Sequence, residues 1–242
     1  MSRARNLSRF KPSTTGLVAN ANIASSAAIA KTKLAALDIV NADINASAAI
    51  AATKVGTMAT ANMPNGSWIM LHSVALGVDA AQIIFDNNYI TTAYDDYVMI
   101  GKSCAPDTDN DEAVIRVSTA NSAGNLVTCG HARSYLRLNA NPAQGAEAGS
   151  GTHVQIATDL GNDANRGGYF TAWFYGLNNT SHYKYMNFTY TGKHSSDEYT
   201  WRGGSSLATT SAVNWLAFKF NAGNIKAGAR VALYGIKGSN HS

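Results

Sequence analysis

Aromatic residues divide this chain more sharply than any other feature. Phe10 is the only one before Trp68, and the remaining 21 lie between Trp68 and the C-terminus. Large apolar side chains dominate burial energetics. Residues 1–65 therefore lack the bulk for a core of their own, whereas residues 66–242 have it. "MPNGS" at residues 63–67 carries Pro and Asn-Gly, a turn signal suited to a linker. The expected organisation is an N-terminal segment over 1–17, a repeat region over 18–65 and a folded domain over 66–242.

The aromatic-poor region repeats itself. "NANIASSAAIAKTKL" at 20–34 and "NADINASAAIAATKV" at 41–55 share ten of fifteen positions, at a period of 21 residues. A fixed period signals a repeated structural unit, and 21 is three heptads. Ile23, Ala27, Ala30, Leu34, Leu37, Asn41, Ile44, Ala48, Ala51, Val55 and Met58 fall alternately four and three apart. That spacing makes an a/d seam, in which small alanines allow close approach and a polar Asn41 fixes register. Ile29, Ile39 and Ile50 fall off the seam, and Asn, Asp, Ser and Thr recur where helices end. Short helical turns joined by extended segments are therefore a second reading of the stalk. A third is one amphipathic helix packed on the chain's own C-terminal domain. The expectation adopted is a homotrimeric stalk that buries Ile23, Leu34, Leu37, Asn41, Ile44 and Val55 against sister copies.

Charge is sparse, at 14% of residues against roughly 25% in ordinary soluble domains. Arg3, Arg5, Arg9 and Lys11 supply four positive charges, and the rest of the chain holds 15 basic and 15 acidic residues. The net charge of +4 thus belongs to the N-terminal end, and a nucleic-acid-binding surface on the main domain is not implied. The basic end reads either as a loose terminus or as a peptide that docks on an acidic partner. Pro12 and Ser13 stand where the apolar core of a signal peptide would fall. No stretch approaches the roughly 18 apolar residues of a membrane span. Cys104 and Cys129 are too few for a disulfide framework and read as buried thiols. The expected setting is synthesis and folding in a cytoplasm.

From Trp68 onward the pattern is β. Strand-like runs cover residues 68–76, 81–86, 94–101, 113–119, 152–158, 169–176, 182–192, 213–221 and the closing "ARVALYGIKG". In "LAFKF", Leu216, Phe218 and Phe220 share one face, the period-two pattern of a half-buried antiparallel strand. Strands of this number without intervening helices predict a mainly β fold, an antiparallel sandwich of jelly-roll type, behind an elongated Ala-rich stalk.

Signals of catalysis or metal binding are weak. "DTDNDE" at 107–112 begins like a calcium loop, but Glu112 stands where Gly is required and Ser118 where Glu is required, so a solvated loop is expected. The six histidines show no metal-ligand spacing, and neither a G-x-S-x-G nor a phosphate-binding glycine loop occurs. No catalytic residue, metal or cofactor is assigned. Aromatics near polar loops remain. Trp173, Tyr175, Tyr199 and Trp201, with Arg202 beside an expected "GGSS" loop, have the composition of a carbohydrate site, where rings stack on sugar faces and polar groups hold hydroxyls. The competing reading of each ring is ordinary sandwich core.

"IVNADINASAAIAATKV" resembles repeats of bacteriophage tail-fibre and virion-appendage proteins, and "MSRARNLSRF" is similar to their short basic N-termini. "YDDYVMIG", "VIRVST" and "NWLAFKFNAGNIKAGARVALYGIKG" resemble a β-domain that recurs in phage structural proteins. The resemblance implies a homotrimer assembled in the host cytoplasm and carried on the virion. Its N-terminus would dock on another virion protein through Arg3, Arg5, Arg9 and Lys11. A stalk and a distal domain facing host or solvent would follow. A short tail fibre that binds a host-surface glycan is the leading expectation, with no membrane insertion. A capsid decoration or head fibre is the alternative, and a glycan-degrading tailspike enzyme a second one.

Overall fold

The computed structural model describes residues 64–137, 144–163, 167–194 and 197–238. The docking segment and the seam positions Ile23, Leu34, Leu37, Asn41, Ile44 and Val55 lie outside the described residues.

Twelve strands account for the described fold: β1 Trp68–Ala75, β2 Ile83–Phe85, β3 Tyr97–Cys104, β4 Asp111–Ser118, β5 Cys129–Arg137, β6 Gln144–Gly151, β7 Val154–Leu160, β8 Gly168–Tyr175, β9 Lys184–His194, β10 Asp197–Leu207, β11 Trp215–Phe220 and β12 Arg230–Ile236. They form an eight-stranded sheet, ordered β1-β12-β3-β8-β9-β10-β5-β6, and a four-stranded sheet, ordered β2-β11-β4-β7. All pairings are antiparallel. The domain is mainly β, with antiparallel sheets in a sandwich-like arrangement, as the alternating patterns predict.

Nine of the twelve strands coincide with the nine strand-like runs. The other three, β5, β6 and β10, all belong to two hairpins, β5–β6 and β9–β10, that continue the large sheet beyond β8. β6 reads QGAEAGSG and carries no apolar alternation, and in β10 the alternation stops at Gly203. These strands form because β9, with its inward Met186, Phe188 and Tyr190, offers a template edge and β10 pairs with it along its whole length.

The core lies between the sheets. Tyr97, Phe174 and Tyr190 of the large sheet meet Phe85, Phe218 and Phe220 of the small one, all fully buried. Phe170 stacks on Phe218 at 4.6 Å between ring centroids. Leu216, Phe218 and Phe220 share the core face, as their spacing predicts.

The acidic "DTDNDE" stretch is, as expected, a loop between β3 and β4 that is exposed at residues 108–110, and it enters β4 at Asp111. Asp111 is 3% exposed, and its carboxylate accepts from the Ala222 and Gly223 N–H groups at 3.0 and 2.7 Å. Asp107 accepts from the Asn224 N–H at 2.7 Å and from Asn224 Nδ2 at 2.9 Å. The Asn224 N–H in particular holds the Asp107 carboxyl below its ordinary value. Two carboxylates thus clasp the turn after β11.

Cys104 and Cys129 are buried free thiols, both pushed up to about 12 by burial. Strands β3 and β5 stand four steps apart in the sheet, roughly 19 Å at the usual strand spacing, too far for a disulfide. The native protein is expected to resist Ellman's reagent for hours at pH 8 and to release two thiols on unfolding in guanidinium. Rapid native labelling of either would contradict their burial.

Candidate functional site

The two faces of the large sheet differ in kind. Register follows directly from strand pairing, since successive side chains alternate between faces. Across the outward face one row runs Met70, Tyr234, Val98, Trp173, Asn187, Gly204, Ala132, Ala148. A neighbouring row continues Ile100, Thr171, Thr189, Arg202, Ser134, Ala146. The row on the other side joins Tyr175, Tyr185, Ser206, Gly130 and Ser150.

One half of this face is therefore aromatic and the other half small and polar. Over β9, β10, β5 and β6 the side chains are so short that the surface sinks into two adjoining shallow depressions of about 520 and 470 Å³. Gly130, Ala132, Ala146, Ala148 and Gly204 form the floor. Tyr185 and Asn187 wall the first depression and Arg202 the second. Tyr185 is 55% exposed, Tyr175 beside it 37%, and Tyr183 56%.

Beneath the floor, Arg133 points inward and is 5% exposed. Its guanidinium pairs with Glu147 across β5 and β6 and donates to the Gln155 carbonyl at 3.4 Å. Burial and the nearby Arg133 charge hold His131 below its ordinary pKa, so it is neutral at pH 7.

The structure separates the five candidate site residues. Trp173, Tyr175 and Arg202 share the outward face, by the registers given above. Trp173 is half-buried, its ring edge-on to Trp68 at 5.0 Å, so only Tyr175 and Arg202 stand open beside the depressions. Trp201 and Tyr199 project from the opposite side of β10. Trp201 is 2% exposed, stacked on Tyr199 at 5.3 Å and edge-on to Tyr190 at 5.9 Å. It belongs to the core and offers no face to an external ligand. The alternation Tyr199, Thr200, Trp201, Arg202 carried that information, but reading "GGSS" as a loop obscured it; Gly203 to Ser206 lie within β10. Residues that the composition did not single out are Asn187, Ala132 and Gly204, which become neighbours only through long-range pairing.

Among the described residues no group of three or more His, Cys, Asp or Glu side chains is placed to hold a metal ion. Chemically, the depressions offer the Tyr185 phenol ring with Tyr175 beside it, the Asn187 amide, serine hydroxyls and the Arg202 guanidinium around a floor of small residues, with Arg133 and Glu147 also in the lining of the second. That set can stack on and hydrogen-bond a flat, hydroxyl-rich ligand. No family model matches the chain, and no curated protein or solved structure matches it either.

Proposed function

We propose that this chain is a structural protein of a bacteriophage virion, a short trimeric tail fibre whose β-domain binds a host-surface glycan on the outward face of the large sheet. The observation that carries the glycan reading is the placement of Tyr185, Asn187 and Ser206 on one and Arg202 on the other of two adjoining shallow, small-residue depressions, with Tyr175 beside Tyr185. The rings would take the apolar face of a sugar, and the amide, hydroxyl and guanidinium its hydroxyls. The fold supports the reading. Without the β5–β6 and β9–β10 hairpins the sheets reduce to β1-β12-β3-β8 and β2-β11-β4-β7, the strand order of a jelly roll, an architecture used by viral capsid and lectin domains. The hairpins are then insertions that build the site. The 21-residue repeat supports the trimer, and three weak sites on one assembly would gain avidity without new contacts.

Tyr185→Ala and Arg202→Ala both act on exposed side chains, so the fold is expected to survive each. Binding of the trimer to host cells, or to a glycan array, is expected to fall at least about tenfold in each, a loss of about 1.4 kcal/mol per site. Unchanged binding in both variants would exclude this face. An antibody against the β-domain then locates it on intact particles by electron microscopy: label at the tail agrees with a fibre, and label over the head replaces it with capsid decoration.

A further inference from the structure

The aromatic half of the same face has a different character. Trp68 is 46% exposed and Met70 61%, although both sit on a strand of the main sheet. Trp68 packs edge-on to Trp173 at 5.0 Å and lies 6.1 Å from Tyr234. Val98 lies between Tyr234 and Trp173 in the register and is fully buried. The row Met70, Tyr234, Val98, Trp173 contains no charged side chain. Grouped apolar exposure of this kind marks a surface that another surface covers. A glycan is a poor occupant, because Trp68 and Trp173 already occupy each other's rings and Met70 brings no hydrogen-bonding group.

We infer that this patch is a seam between sister copies of the chain, a second trimer contact besides the repeat region; the inference rests on the trimer reading above. The position in the chain selects this occupant. The patch begins at the first described strand, after 63 residues that precede the described fold, and Met58, the last heptad position, is only ten residue steps from Trp68. Ten residues span at most about 35 Å. Copies joined through their repeats would hold their β1 strands at high effective concentration, so that a modest apolar contact closes without needing affinity of its own. A three-fold assembly also requires a heterologous contact, one surface against a different one. The open edge of β1 and the flat aromatic face beside it supply two such surfaces.

The test uses the full chain and sedimentation across a wide concentration range. Four proteins are compared: wild type, Ile23→Asp/Ile44→Asp, Met70→Glu, and the triple variant. Wild type is expected to be trimeric throughout. The double variant places like charges in each repeat layer and is expected to dissociate on dilution. Met70→Glu, at an exposed position, is expected to melt like wild type as a fold. In the double-variant background it is expected to raise the concentration needed for assembly by at least about tenfold, and Met70→Lys is expected to do the same. A wild-type chain that stays monomeric overturns the trimer reading and the seam together. A wild-type trimer, with the double and triple variants dissociating identically, overturns the seam alone. So does a Met70→Glu protein that assembles normally but melts lower, because the patch would then be covered by the chain's own residues.

Discussion

Trp201→Ala is expected to cost about 3–5 kcal/mol of folding stability, the range for deleting a large buried aromatic. The indole is 2% exposed and contacts Tyr199 and Tyr190 on the core side of β10. Truncation removes its transfer free energy and leaves a cavity between rings that are themselves held by strand pairing, so collapse around the gap is limited. Against a typical total of 5–15 kcal/mol, the loss is a large fraction and should show as a melting temperature lower by about 10 °C or more. Tyr175→Ala, on the outward face, is expected to stay within about 0.5 kcal/mol. Glycan binding should respond in the reverse order: weakened by Tyr175→Ala, and unchanged per folded molecule by Trp201→Ala. Urea unfolding with parallel binding measurements on both variants decides the matter. A Trp201→Ala protein that unfolds at wild-type urea concentration would return Trp201 to the surface and undo the assignment of faces on β10.

That pair of variants also marks where the sequence was legible. Strands whose two faces differ in polarity announced themselves: Leu216, Phe218 and Phe220 alternate with Ala217 and Lys219, and the strand is there. β6 could not announce itself. Its QGAEAGSG packs little apolar bulk on either face, and it is a strand because β5 pairs with it along eight residues. β10 failed differently, since Gly203 and Gly204 read as a break while its pairing to β9 runs through them. The candidate site lies on these strands and their neighbours, so it was legible only as composition, rings beside polar residues, and not as an arrangement. The Asp107 and Asp111 clasp was hidden for a related reason: their partners Asn224, Ala222 and Gly223 lie more than a hundred residues along the chain.

Gly203→Ala is the other substitution with a large expected effect, and it tests whether the inserted hairpins are rigid parts of the domain. A Cβ at this position would lie 2.3 Å from the Ala132 carbonyl oxygen and 2.9 Å from the Arg133 Cα, both backbone atoms of β5, and 2.5 Å from the Phe188 ring. The ring can turn, but the backbone can give way only if β5 moves off β10. Among the described residues β5 and β6 join the large sheet through β10 alone, so displacing that pairing loosens both strands and the ion pair between buried Arg133 and half-exposed Glu147. A cost of about 3 kcal/mol is expected, at the upper end for overpacking. Gly204→Ala is the control: on the outward face, its nearest neighbours would be Asn187 Oδ1 at 3.1 Å and the Met186 carbonyl at 3.3 Å, contacts relieved by small shifts, and a cost below about 1 kcal/mol is expected. Because the strain is local, hydrogen exchange in Gly203→Ala should rise first across residues 129–137 and 144–151 while β3, β8 and β12 keep their protection. Glycan binding should fall with it, since the floor of the depressions is made of those strands. Uniform protection and wild-type stability in Gly203→Ala would mean that β5 and β10 do not approach as closely as the structure places them, and the small-residue floor would lose its physical basis.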